Sequence, residues 1–333
     1  MAHKNREINP QLMFLFAATL LSVFVFFFPF GFSPDYFQYI YYFESIKTHG
    51  FDYALGYRFE PGFALLSFSL VKVINDPAVV FAIISFFSSA LKLKLISRNT
   101  GVAGFILAFI LFFFKFFPLQ DFNQLRVALS IYFTMLLFLN LSASVYRQIL
   151  IAAAAISFHY SSLFVLPFVY LSRFDFSILK ILLIGLLSFI IFKLSSLYVL
   201  DVFGQFFSVV DAYNNNGVDS ASSAAFSPVF YPELVTMLLL LFFWKDCNCI
   251  VRRVFFIQTI GFALFYGLID LADFSVRGRE FFSTFWIFFL TQYDLSKINI
   301  KYIQIFFLLL SSIVGVYIFY VLDYFSTAER WVI

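Results

Sequence analysis

Residues 11–30 read QLMFLFAATLLSVFVFFFPF, twenty positions without a charge. A helix rises 1.5 Å per residue, so this run can cover the roughly 30 Å hydrocarbon core of a bilayer. It follows a short basic stretch, as a signal peptide would. It lacks a small-residue cleavage site, however, and reads as an uncleaved first span. Eight further stretches are comparably apolar: 78–97, 104–119, 124–141, 176–197, 228–244, 254–270, 280–295 and 302–322. Two more are awkward. Residues 62–74 are short for a crossing, and 149–171 are interrupted by His159-Tyr160-Ser161-Ser162 and contain Pro167. Composition agrees with a lipid environment. Of 333 residues, 62% are hydrophobic and 12% charged, against about 25% charged in soluble domains. The expected fold is all-α: a polytopic integral membrane protein with about ten transmembrane helices plus short re-entrant or interfacial helices.

Charge sets the expected orientation. Lys4 and Arg6 place the N-terminus in the cytoplasm. If 62–74 does not cross and 149–171 is a hairpin of two short helices with His159 at its outer tip, the cations segregate. Lys92, Lys94, Arg98, Arg147, Arg173, Lys180, Lys245, Arg252, Arg253, Lys297 and Lys301 all fall inside. The chain 1–333 then reads as a single transmembrane domain with outer loops near 31–61 and 198–227. Lys92, Lys94, Arg98, Arg252 and Arg253 read as snorkelling residues that orient their helices. Cys247 and Cys249 have no second cysteine pair, so no metal site is expected. A net charge of +3 leaves no nucleic-acid footprint.

An ionisable residue within or beside a span is expensive and therefore a functional candidate. The outer-side candidates are those that charge bias does not explain. Asp35-Tyr36 and Tyr39 open the aromatic stretch 31–61, whose rings could stack on sugars. Arg58 and Glu60 end it, and they could pair with each other or cap the next helix. Arg126 follows Asn123 and Gln124 at the start of a span. It could pair with Asp121 or offer its planar fork to a phosphate. His159, at the inferred helix break, could be structural or could accept a proton from a hydroxyl. Arg277, Arg279 and Glu280 start another span, with Gly278 giving the backbone freedom to approach a ligand. No Walker motif, GxSxG, HExxH or cysteine nucleophile occurs, so neither ATP hydrolysis nor a cofactor is expected.

The ordered set Asp35-Tyr36…Tyr39, Glu60-Pro61-Gly62, Leu125-Arg126-Val127-Ala128, His159-Tyr160-Ser161-Ser162 and Arg279-Glu280-Phe281-Phe282 resembles the EpsG-like family of polysaccharide polymerases. These are relatives of the Wzy O-antigen and capsule polymerases. The resemblance runs over roughly residues 30–290. It departs from the family pattern at Val127, where Gln is frequent. It implies a GT-C-like fold and a metal-independent membrane glycosyltransferase. Such an enzyme joins oligosaccharide repeat units carried on undecaprenyl pyrophosphate at the outer face of the inner membrane. Taken with the residue reading above, it points to His159 and Arg126 as catalytic residues, with Arg58, Glu60, Asp35, Tyr36, Gln124, Arg277, Arg279 and Glu280 binding substrate. A chain-length regulator and a flippase are the partners it implies. An O-antigen ligase and a flippase or transporter of lipid-linked oligosaccharide are the rival readings.

Overall fold

The computed structural model describes residues 10–27, 35–198, 230–293 and 298–317, and every regular element among them is helical. The chain divides into two compact units. One comprises Met1–Leu166, Leu290–Tyr293 and Leu308–Ile333, the other Pro167–Phe289 and Asp294–Phe307. Among the described residues, five helices are long and apolar enough to cross a membrane.

The first unit contains α1 (Pro10–Phe27), α2 (Tyr36–Gly56), α3 (Pro61–Val73), α4 (Pro77–Ser97), α5 (Val102–Leu111), a π-helical continuation Phe112–Asp121, α6 (Leu125–Leu139) and α7 (Val145–Phe158). α4 and the continuous Val102–Asp121 are two of the five spanning helices. The chain passes into the second unit within α8 (Ser162–Leu171). The helix break read at His159 is present between α7 and α8. Of residues 62–74, all but Ile74 belong to the short α3.

Most of the stretch read as an outer loop, 31–61, is helix. Glu44, Lys47, His49 and Asp52 keep its hydropathy low. Yet Tyr39, Tyr42, Phe43 and Ile46 recur at helical spacing, and all four are buried. These rings therefore serve the core rather than a sugar platform. They pack with Phe59, Phe63 and Phe81 from α3, α4 and the turn before α3. α2 is kinked at Gly50, whose φ of 77° suits glycine. The other expected loop, 198–227, lies outside the described residues apart from Tyr198, which ends a helix.

Lys92 does not snorkel. It is buried and donates to Asp121 Oδ2 at 2.8 Å, and Ser88 Oγ donates to Asp121 Oδ1. Burying the cation is tolerable because it is paired and hydrogen-bonded.

The second unit holds α9 (Ile178–Tyr198), α10 (Tyr231–Phe242), α11 (Cys249–Gly267) and α12 (Ala272–Ser283). α9 and α11 run parallel. Gly185 meets Thr259 at one level, and Gly267 meets Phe192 further along both helices. Lys193 and Asp270 pair at the far end. Residues 280–295, read as one span, are instead split between α12 and α13 (Trp286–Thr291). Phe281 through Leu290 are all buried. The run is apolar because protein surrounds it, a case periodicity cannot separate from a lipid-facing helix. α14 (Ile298–Val316) follows.

Candidate functional site

α6 and α7 form an antiparallel pair whose turn is satisfied by side chains. Asn140 Nδ2 donates to the Leu136 carbonyl at 2.7 Å, and Gln148 Nε2 donates to Leu141 and Ala143 carbonyls at 3.0 and 2.8 Å. Ser130 Oγ donates to the Ala155 carbonyl at 2.8 Å and ties the helices midway. The open end of the pair thus brings Arg126, in the first turn of α6, beside His159. His159 ends α7 with an extended backbone (φ −161°, ψ 120°). Its carbonyl accepts from Ser162 N–H at 3.1 Å and Ser162 Oγ at 2.8 Å, which restarts the helix as α8.

Glu60 arrives from a third helix. It is the N-cap residue of α3, and Pro61 occupies the first turn, where a missing N–H costs nothing. A Cβ on Gly62 would lie 2.5 Å from Ser157 Oγ and 2.7 Å from the Ser157 carbonyl oxygen. Only glycine lets α3 dock this closely on α7. Glu60-Pro61-Gly62 is therefore a docking element that delivers a carboxylate to the end of the α6–α7 pair.

That carboxylate bridges two partners. Glu60 Oε2 accepts from Arg126 Nη1 at 2.6 Å, and Oε1 accepts from His159 Nδ1 at 2.8 Å and from the Tyr160 N–H at 3.3 Å. The Glu60 side chain is 4% exposed, those of Arg126 and His159 19% each. The carboxylate is the buried hub, and both partners reach outward from it. Arg126 lies 4.2 Å over the Phe59 ring. Its Nε is buried without a hydrogen-bond partner among the described residues. Buried Tyr39 is within electrostatic reach of both Asp35 and Arg126.

Glu60 precedes a helix that is not among the five spans. Burial pushes its carboxyl up, but the His159 hydrogen bond and the Arg126 charge outweigh this and hold it down at about 2. It is ionised at neutral pH. An ionised carboxylate only accepts, so Nδ1 of His159 carries the proton, and in neutral imidazole Nε2 keeps its lone pair. With His159 neutral, the cluster offers a base nitrogen beside a guanidinium, both held by one carboxylate.

The two pairings left open by the sequence resolve differently. Asp121 binds Lys92 rather than Arg126, and exposed Arg58 donates to Gln38 rather than pairing with Glu60. Asp35 is linked through its N–H to Asn123 Oδ1 at 3.1 Å. Tyr36 packs its ring on Phe81, and buried Gln124 is the N-cap residue of α6. Arg277, Arg279 and Glu280 belong to the second unit. Arg279 is completely buried there. It pairs with Glu233, donates to Gln258 Oε1 at 2.6 Å and faces the Phe262 ring at 4.0 Å. Ser283 also donates to Glu233. Arg277 is exposed and Glu280 half-buried. Gly278 makes room for Leu264 rather than for a ligand, since a Cβ there would lie 2.7 Å from Leu264 Cδ2.

Sequence reasoning missed Glu233 and Gln258 around Arg279, and gave no role to Phe59 or Asn123. Glu233 had a signal: it is an acid in an otherwise apolar stretch, the same criterion that selected Arg126. Phe59 had none, because one phenylalanine among 55 carries no mark.

Comparison with curated proteins and with solved structures gives no match. A model of the EpsG family matches residues 12–331, nearly the whole chain. With its apolar helices and this match, the chain is a multi-pass membrane protein that belongs to the EpsG family, a family associated with polysaccharide-polymerase-like proteins.

Proposed function

We propose that the protein polymerises undecaprenyl-pyrophosphate-linked oligosaccharide repeat units at the outer face of the bacterial inner membrane, without a metal. The observation that carries this reading is the Glu60 bridge between Arg126 and His159. His159 Nε2 takes the proton of an acceptor sugar hydroxyl. The hydroxyl oxygen bonds to the anomeric carbon of the donor chain, with inversion. The bond from that carbon to the pyrophosphate oxygen breaks, and its electron pair leaves with undecaprenyl pyrophosphate. Arg126 meets the negative charge that develops on the departing oxygen, and its 19% exposed side chain supports that role. Glu60 positions both groups. Asp35, Tyr36, Arg58 and Gln124 are proposed to bind the sugars. Arg277 and Glu280 are proposed as further substrate residues, and Arg279, wholly buried, as a positioning residue through Glu233 and Gln258.

The same reading carries about ten crossings in a GT-C-like arrangement, an N-terminus in the cytoplasm, and a chain-length regulator and flippase as partners. The parallel start of α9 and α11 supports the orientation, because it gathers Arg173, Lys180, Arg252 and Arg253 at one end. The test is a gel of surface polysaccharide from cells lacking the gene, beside complemented cells. Loss of the long ladder with single repeats retained is the expected result. Loss of every repeat-bearing band, with lipid-linked repeats accumulating, identifies a ligase or flippase instead.

A further inference from the structure

The second unit holds a basic pocket that the polymerase chemistry leaves unused. It opens where α8 ends and α9 and α11 begin, and it is lined by Arg173, Asp175, Phe176, Cys249, Arg252 and Arg253 among others. Arg173, Arg252 and Arg253 share this lining with Asp175. Asp175 holds Arg252 weakly, because it is 73% exposed and its Oδ1 lies 3.6 Å from Arg252 Nη1, beyond hydrogen-bond length.

The arginines are braced rather than loose. Arg173 stacks on Tyr170 and Phe174 at 4.1 and 4.7 Å, and Arg252 lies 5.4 Å over Trp244. Arg252 Nε is buried without a hydrogen-bond partner among the described residues. α9 and α11 are parallel, so both present their positive ends here. Asn248 caps α11 by accepting from the Val251 N–H at 2.9 Å.

The geometry points to a binding site for the phosphate group of an anionic phospholipid, entered from the leaflet at this end of α9 and α11. A phosphate offers several acceptor oxygens to guanidinium forks. The neighbouring wall favours a lipid as its source. Leu179, Leu182, Leu183 and Leu186 of α9 are 64%, 45%, 56% and 56% exposed, an apolar flank on which acyl chains can lie directly beside the pocket. Basic pockets between membrane helices recognise headgroups in this way.

Cys249 makes the site measurable. It is exposed and lines the pocket, whereas Cys247 is buried. The protein, with Cys247→Ser, is placed in nanodiscs of phosphatidylcholine alone or with phosphatidylglycerol, and maleimide labelling of Cys249 is timed. Anionic lipid is expected to slow labelling by about fivefold or more, the effect of one lipid-facing cation, and Arg252→Gln/Arg253→Gln to remove the difference. Equal rates in the two lipids for the unsubstituted arginines overturn the site without any variant having to fold. Protection by millimolar inorganic phosphate in phosphatidylcholine nanodiscs, matching that of phosphatidylglycerol, overturns the lipid source and assigns a soluble phosphate ligand. Polysaccharide chain growth is a separate readout, so either failure leaves the polymerase reading standing or falling by itself.

Discussion

Replacing Glu60 with Gln keeps the length of the side chain but removes its one-way hydrogen bonding. An amide can accept from His159 Nδ1 or donate to it, so the proton is no longer fixed on Nδ1 and Nε2 is no longer reserved as a base. Glu60→Gln is expected to slow chain growth in purified protein by about a hundredfold, the lower end of what a general base contributes. Arg126→Ala should abolish long polymer at normal protein levels, and Arg126→Lys should restore little, because an ammonium lacks the planar fork. The ladder gel with an immunoblot checks both, and long polymer from Arg126→Ala protein would remove Arg126 from the mechanism. The low Glu60 value also sets an acid limit. The folded carboxyl titrates at about 2 against an ordinary 4.5, so its contribution is complete above the ordinary value. It is lost as pH falls from there towards 2. Thermal unfolding should fall across that window in the intact protein and more shallowly in Glu60→Gln. Glu60, Arg126 and His159 were legible in the sequence because charge is rare in so apolar a chain. Their common carboxylate was not, since residues 60, 126 and 159 meet only through helix packing.

At the level of elements, Gly62 is what holds the carboxylate in reach. Gly62→Ala puts a methyl against Ser157 and should cost about 1–3 kcal/mol or shift α3 outward. Chain growth should drop although Glu60, Arg126 and His159 are all present. Adding Ser157→Ala should restore only part of it, because the carbonyl oxygen at 2.7 Å remains. The buried Lys92–Asp121 pair gives a contrasting expectation. Lys92→Met alone strands a carboxylate and should destabilise by about 3–5 kcal/mol, whereas Lys92→Met with Asp121→Leu should recover most of that. Unfolding in detergent with all four species of the cycle decides it. The break at His159 was readable from four polar residues in an apolar run. α2 was missed because low hydropathy hid its helical period, and the break between α12 and α13 was missed because a buried run and a spanning run have the same composition.

For the whole molecule, helical class and membrane residence followed from composition, and the family from five short motifs in order. Which face each end occupies rests on charge. The proposed topology expects Cys249 to react with a membrane-impermeant thiol reagent only after permeabilisation, and a Tyr160→Cys variant, at an exposed position, to react in intact spheroplasts. The opposite pattern at either position reverses the assignment. The parallel course of α9 and α11 has a consequence for the bilayer itself. Two helices that enter from one face and point the same way leave an odd number of crossings between Tyr198 and Cys249. α10 is the described spanning-direction candidate in that interval, and its 12 residues rise about 18 Å, well short of the roughly 30 Å hydrocarbon thickness. A return made by α10 alone would draw the two leaflets together, and the length of the surrounding acyl chains would then act on the protein.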